Sequence, residues 1–462
     1  MPILIDSIGF LYLLSIIGLA LFGLNSLIIA VLYLRTKANS RTRKKSNSPK
    51  KWPLVTIQLP IYNEKYTIER LLDAVTKLEY PSDRLQIQVL DDSTDDTAQL
   101  VNRLVEKYRS EGVNIVCRHR SDRTGYKAGA LGDALSDATG ELIAIFDADF
   151  VPKHDWLLKT VPRFRDQRLG CLQTRWGHTN RKYNSLTLAE AMAIDGHFIV
   201  EQTVRSKNDL FLNFNGTAGI WRRTCIDDAG GWQYDTLTED LDLSYRAQMR
   251  GWKIGYLPNV VVPAELPSQV EAFKKQQFRW AMGSFQVVRK ILPQVFGRQS
   301  LPWNVRLMAI LHLTGYLVHP LMLASLLLTL PVGLLVPAAF KFFPFSALTG
   351  LGPPLIYLIA AAPHTPPLRV RLKLLPLLVF TGFGISLSTS IAVIQGLTKK
   401  GGAFVRTPKL NLGNKLQKIH NFNPPQSPHL RPLKRRLLGL SGANGGRQEG
   451  GEVFSSGVLH DF

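Results

Sequence analysis

The chain has 462 residues, enough for two or three domains and a sizeable core. Its formal charge of +21 invites a nucleic-acid reading, but the Lys and Arg gather beside long charge-free apolar segments, which argues for a membrane protein and against a nucleic-acid partner. Cys117, Cys171 and Cys225 lie far apart with no C-x-x-C, so neither a zinc site nor a redox pair is suggested, and they read as free thiols in a reducing compartment.

Residues 1–34 read as an N-terminal transmembrane helix, because 7–34 carry no charge and can cross ~30 Å of hydrocarbon. A secretory leader would carry its basic residues before a shorter apolar core. Here the linker 35–52 follows the helix, with Arg35, Lys37, Arg41, Arg43, Lys44, Lys45, Lys50 and Lys51 and no acid. The amino end is therefore expected outside and the linker inside.

Residues 53–300 alternate strand-like and helix-like segments and read as a cytoplasmic domain. Val55–Leu59 is a short β-rich run, and Ile68, Leu71, Leu72, Val75 and Leu78 follow at helical spacing until Pro81. Leu85–Leu90 is a second strand, and Leu142–Phe146 is apolar throughout, as a strand buried on both faces must be. Such alternation implies an α/β sheet with helices on both faces, whose ligands bind at the carboxyl ends of strands. Residues 301–398 hold three charge-free runs, 307–340, 342–368 and 374–398. The domain and the basic segment 399–436 are both expected inside, so an even number of crossings must lie between them. Either 307–340 holds two crossings, or one of the three runs lies in the interface or re-enters; four are favoured, which leaves Arg369, Arg371 and Lys373 outside against the charge rule. Residues 437–462, rich in Gly, Ser and Asn, read as a disordered tail.

Candidate chemistry clusters at the strand ends. Asp147 and Asp149 can share one hard cation, Mg²⁺ or Mn²⁺, although a solvated turn also uses Asp in this way. Asp91-Asp92 ends another strand and suits a nucleotide's base or ribose, or an Asx turn. In Pro60-Ile61-Tyr62-Asn63-Glu64, Tyr62 could stack on a base and Glu64 could bind ribose, while Asn63 is a good helix N-cap. Lys127, among small residues, could meet phosphates or be a solvated loop lysine. Asp240, with Glu239 before it, is a candidate general base at the start of a helix, where acids are favoured in any case. Gln276, Arg279 and Trp280 share one helix face, Arg for diphosphate oxygens and Trp for a sugar ring; a basic interfacial helix is the plainer explanation.

Taken together, the order Asp92, Asp147-x-Asp149, Thr238-Glu239-Asp240 and Gln276-x-x-Arg279-Trp280 resembles the inverting glycosyltransferases of family 2, in the cellulose synthase branch. Gln58–Glu64, Gln173–His178 and Phe214–Gly219 are similar to the cellulose-synthase-like A and C (mannan or glucan synthase-like) subgroup. The resemblance implies a GT-A type, Rossmann-like mixed sheet with transmembrane helices. It implies a processive enzyme that forms a β-linked polysaccharide from UDP-glucose or GDP-mannose. Tyr62, Glu64, Asp92, Lys127 and Asp147 would bind the nucleotide sugar, and Asp147 and Asp149 the metal. Asp240 would be the base beside Glu239, and Gln276, Arg279 and Trp280 would hold the acceptor and the leaving diphosphate. Phe404–Lys409 looks similar to a gating loop, and the tail after Lys399 is too short for a cyclic-dinucleotide-binding barrel. The expected partners are the donor, a growing glycan or lipid acceptor, and the bilayer of the plasma membrane. Trp303, His312, Tyr316 and His319 are candidates to line a path for the product. A glycolipid synthase that stops after one or two sugars is the alternative, and a basic membrane scaffold the distant one.

Overall fold

The computed structural model describes residues 2–38, 51–361 and 365–402. Most of the basic linker, the segment Phe404–Lys409 and the tail lie outside the described residues.

The central strands are β1 (Val55–Ile61), β2 (Leu85–Asp91), β3 (Ile115–His119), β4 (Leu142–Ile145), β5 (Leu169–His178), β6 (Gly219–Arg222) and β7 (Lys253–Ala264). They form one sheet in the order β3-β2-β1-β4-β6-β5-β7. β1 to β4 pair in parallel, while β6 runs against both neighbours, so the sheet is mixed. After β3 the chain crosses to the far side of β1, and the carboxyl ends of β1 and β4 flank that change of direction. Ligands of open α/β sheets bind there.

Both faces of the sheet are covered. On one, Ile68, Leu71, Leu72 and Val75 of the helix Ile68–Thr76 pack with Ile57, Leu59, Val89 and Ala144. On the other, Ala130 and Leu131 meet Ile143, Ile145 and Trp221. Each fully buried aliphatic side chain contributes about 1.5–3 kcal/mol, which fixes the sheet rigidly beneath the site. Gln58 and Gln88 are also buried, and Gln58 Nε2 donates to Gln88 Oε1 at 3.1 Å.

Two local expectations change. The helix that begins at Ile68 ends at Thr76, ahead of Pro81. Thr67 occupies its N-cap position, so Asn63 does not. Instead Asn63 takes φ 55°, a left-handed conformation that Asn tolerates, and its Oδ1 accepts from Thr94 N at 2.8 Å. The loop after β1 is thereby joined to the loop after β2.

Among the described residues three helices are long and apolar enough to cross a bilayer: Ile5–Ala38, Gly315–Leu335 and Leu368–Thr398. Where the charge-free runs favoured four crossings after the central domain, two helices have the length. The run 342–368 is broken at its glycines and prolines into the short helices Phe343–Gly350 and Gly352–Ile359. Arg371, expected to violate the charge rule, is buried and donates to the carbonyls of Leu358 and Ala360. It thus satisfies the exposed end of the second short helix.

Candidate active site

Asp147 follows β4, and its N–H donates to Thr217 Oγ1 at 2.8 Å. Its carboxylate receives Lys127 Nζ at 2.6 Å. Lys127, from the helix Tyr126–Ala134, also donates to Gly216 O at 2.8 Å and stands 3.9 Å from Glu239 Oε1. Gly216 (φ 82°) brings its backbone against the base candidate, since a Cβ there would lie 3.1 Å from Asp240 Oδ2. Asp240 opens the helix Glu239–Met249, and its Oδ1 accepts from Leu241 N at 2.8 Å. Arg279, on the helix Val270–Gly297, acts electrostatically on Glu239, Asp147 and Asp240. Five residues read from sequence as donor, base and diphosphate contacts are therefore in one place.

Their charges are mutually adjusted. Burial and then the neighbouring Glu239 push the Asp240 carboxyl up to about 7, against the Leu241 N–H, Lys127 and Arg279. Burial presses the Lys127 ammonium down, but Asp147, Glu239 and Asp240 outweigh it and hold its pKa above the ordinary value. Burial lowers Arg279 in spite of the same three carboxylates.

The nucleotide-side candidates form a second group. Both oxygens of Asp92 are engaged by Arg120, through Nε at 2.8 Å and Nη2 at 2.7 Å. Arg120 also donates to Tyr126 O and Asp133, so it ties β2 to the loop that presents Lys127. Asp91 Oδ1 accepts from Ser93 N, as an Asx turn does, and its Oδ2 meets His119 Nδ1 at 2.8 Å. The Arg123 guanidinium lies 3.3 Å over the Tyr62 ring, where a base would stack. Glu64 Oε2 accepts from Thr67 Oγ1 at 3.0 Å. Nothing in the sequence pattern marked Arg120 or Arg123; their position in the loop just before Lys127 is the one available signal.

The cleft is narrow. The cavity beside Lys127 holds about 20 Å³ and is bounded by Gly125, Tyr126, Tyr234, Glu239 and Gly402. A larger one, about 630 Å³, lies at the other end of the helix Glu239–Met249, around Arg246 and Arg250, away from these residues.

Close packing positions the acidic pair. A Cβ on Gly283 would lie 2.6 Å from Thr238 Cγ2, so the helix carrying Arg279 rests directly on Thr238-Glu239-Asp240. Gln286, buried in that helix, accepts from Leu237 N at 2.8 Å and donates to Gly401 O at 2.5 Å, while Gly401 N donates to Asp235 O. The chain leaving the last membrane helix is thus stitched to the loop before Asp240. Gln276 and Trp280 are half-buried on the same helix as Arg279. Of the four path candidates, His312 is hydrogen-bonded to the Tyr245 hydroxyl at 2.7 Å, Tyr316 and His319 stack 6.2 Å apart, and Trp303 is exposed.

The acidic residues suit a cation that arrives with its substrate. Asp147 is about 35% exposed at the cleft, whereas Asp149 is buried and its Oδ2 accepts from Glu265 N at 3.0 Å. Among the described residues no three His, Cys, Asp or Glu side chains converge as a closed metal site. One or two carboxylates completed by phosphate oxygens and water are what Mg²⁺ needs, so the residues present fit that role.

Residues 53–283 match the family described as glycosyltransferase like family 2. A glucomannan 4-beta-mannosyltransferase of Cyamopsis tetragonoloba is 33% identical over 440 residues, which cover 91% of this chain and 82% of that one. The chain belongs to glycosyltransferase family 2. A second relative, the Arabidopsis thaliana glucomannan 4-beta-mannosyltransferase 2, is 43% identical over 249 residues, 53% of this chain and 47% of its own. A solved mannosyltransferase from Pyrobaculum calidifontis, in complex with GDP-Man and Mn²⁺, superposes with a TM-score of 0.56 at 22% identity, covering 83% of this chain and 99% of that one. It shares the GT-A fold. The family, the fold class and a membrane-attached glycosyltransferase, all expected from the ordered motifs, hold.

Proposed function

We propose that this family 2 glycosyltransferase is a processive, inverting enzyme of the plasma membrane that extends a β-linked polysaccharide on the cytosolic face. GDP-mannose is its first donor to test and UDP-glucose the second. The names of the relatives support the mannosyl donor. The observation that carries the reading is Lys127 joined to Asp147, to the Gly216 carbonyl and to Glu239, with a near-neutral Asp240 beside them.

Tyr62 and Glu64 hold the base and ribose, joined by Asp92 once Arg120 shares it. Lys127 and Arg279 meet the diphosphate oxygens as point charge and planar fork. Asp147, with Asp149, would hold Mg²⁺ or Mn²⁺, whose bound charge neutralises the departing diphosphate. Asp240 removes the proton of the acceptor hydroxyl as that oxygen bonds the anomeric carbon from the face opposite the leaving group. The bond from carbon to diphosphate oxygen breaks in the same step, and an α-linkage becomes β. Glu239 keeps Asp240 basic by like-charge repulsion. Gln276 and Trp280 hold the acceptor end.

The test is purified protein in lipid nanodiscs with Mn²⁺ or Mg²⁺ and a panel of nucleotide sugars. The expected product is a long chain with β-anomeric signals by NMR. A product of one or two sugars on lipid would replace the polymer reading with the glycolipid one. Absence of transfer from every donor would remove the enzymatic reading.

A further inference from the structure

Before the segment that carries Gly216, the chain forms a stretch of π-helix, Gly196–Glu201. An α-helix of 3.6 residues per turn would set His197 and Gln202 about 140° apart. The wider winding brings both to one place, beside Asn215 of the strap 213–218.

The hydrogen bonds orient the imidazole. Gln202 Nε2 and Asn215 Nδ2 each stand 3.1 Å from His197 Nε2. An amide nitrogen only donates. Asn215 cannot be turned round, because its Oδ1 accepts from Gln202 Nε2 at 3.0 Å, and Gln202 Nε2 also faces Asn213 O at 3.2 Å. His197 Nε2 is therefore placed as the acceptor of this cluster, and its Nδ1 faces Glu201 Oε2 at 3.0 Å. The other oxygen of Glu201 accepts from Arg205 Nε at 2.8 Å.

Asn215 leads directly to the chemistry. Its own N–H donates to Gln173 Oε1 at 2.8 Å. The next carbonyl, Gly216 O, holds Lys127, and the next side chain, Thr217 Oγ1, holds the Asp147 N–H. We propose that His197 is a positioning residue for glycosyl transfer, acting through Asn215 on the strap that aims Lys127 and Asp147; the inference rests on reading those two residues as donor contacts. His197 touches neither of them. Without its acceptor nitrogen the half-buried Asn215 amide donor loses its partner, while the buried Gln202 keeps Asn213 and Asn215, and the strap relaxes by the fraction of an ångström that transfer geometry does not tolerate.

Wild type, His197→Phe and His197→Gln are compared in nanodiscs with the donor that wild type uses, measuring kcat, donor KM and the thermal midpoint. Phe fills the ring volume without an acceptor; Gln offers an amide oxygen in its place. The expected result is a kcat about tenfold or more lower for Phe, a donor KM within about threefold, and most of the loss restored by Gln. Asn215→Ala added to His197→Phe should lower kcat little further, because the path is already cut. A Phe variant with wild-type kcat, equal loss in Phe and Gln, or losses at 197 and 215 that multiply would each overturn the inference. Should the Phe variant fail to fold, the same cycle is run with His197→Ala. Wild type inactive with every donor sinks the function itself and this inference with it; active wild type with an unaffected Phe variant sinks this inference alone.

Discussion

Asp240→Asn separates the role of this carboxylate from its cost. The substitution keeps shape and polarity but removes the base. Glycosyl transfer should fall by about 10²–10⁴, with donor binding retained. The pH behaviour follows from the burial and the Glu239 neighbour that raise its carboxyl from the ordinary 3.8 to about 7. A base must be ionised, so kcat/KM of wild type should rise with pH through about 7 and level off above it. That profile reports the free enzyme; the limb in kcat should lie lower once a cation joins Arg279 in the occupied site. The sign for stability is opposite. A carboxyl raised in the folded state binds its proton more tightly there than when unfolded, so its ionisation costs stability as pH climbs from about 4 to 7. The displacement corresponds to at most about 4 kcal/mol, and hydration of the partly open cleft reduces it to about 1–2 kcal/mol. The inactive Asn variant should therefore melt a few degrees above wild type at pH 8 and together with it at pH 4. Nanodisc thermal shifts and kcat/KM between pH 5.5 and 8.5 test both halves. A flat kcat/KM profile, or wild-type transfer by the Asn variant, would refute the assignment.

Asp147→Ala removes the cleft's open carboxylate and the partner of Lys127; Mn²⁺-supported donor binding, read by titration, should weaken by about 10–100-fold. Arg279→Lys keeps the charge but loses the fork, and kcat should fall by about tenfold with the fold intact by thermal shift. Gly283→Ala drives a methyl against Thr238, costing about 1–3 kcal/mol and slowing transfer, whereas Gly297→Ala at the same helix's open end should change neither.

Much of this architecture was readable in advance, for identifiable reasons. Leu142–Phe146 announces a central strand because both of its faces are buried, and the carboxylates just after it announce a ligand end. The Gln276-Arg279-Trp280 face is legible because helical spacing is local. Arg120 and Arg123 were not, since their partners Asp92 and Tyr62 come from loops distant in sequence. The π-stretch at His197 escaped for a similar reason: helical periodicity around it looks ordinary, and only the strap 213–218 reveals what it holds. In the run 342–368, apolar length promised a crossing, while Gly350, Gly352, Pro353 and Pro354 break it.

The Gln286 stitch means that the soluble half of this enzyme has no clean boundary with its anchor. A chimera joining this catalytic domain to a relative's membrane region should be cut beyond Gly402, carrying Leu368–Thr398 along, because a junction nearer the sheet would discard the backbone that Gln286 and Asp235 grip. For the same reason a detergent that lets the final helix tilt should loosen the loop ahead of Glu239 before it disturbs the sheet.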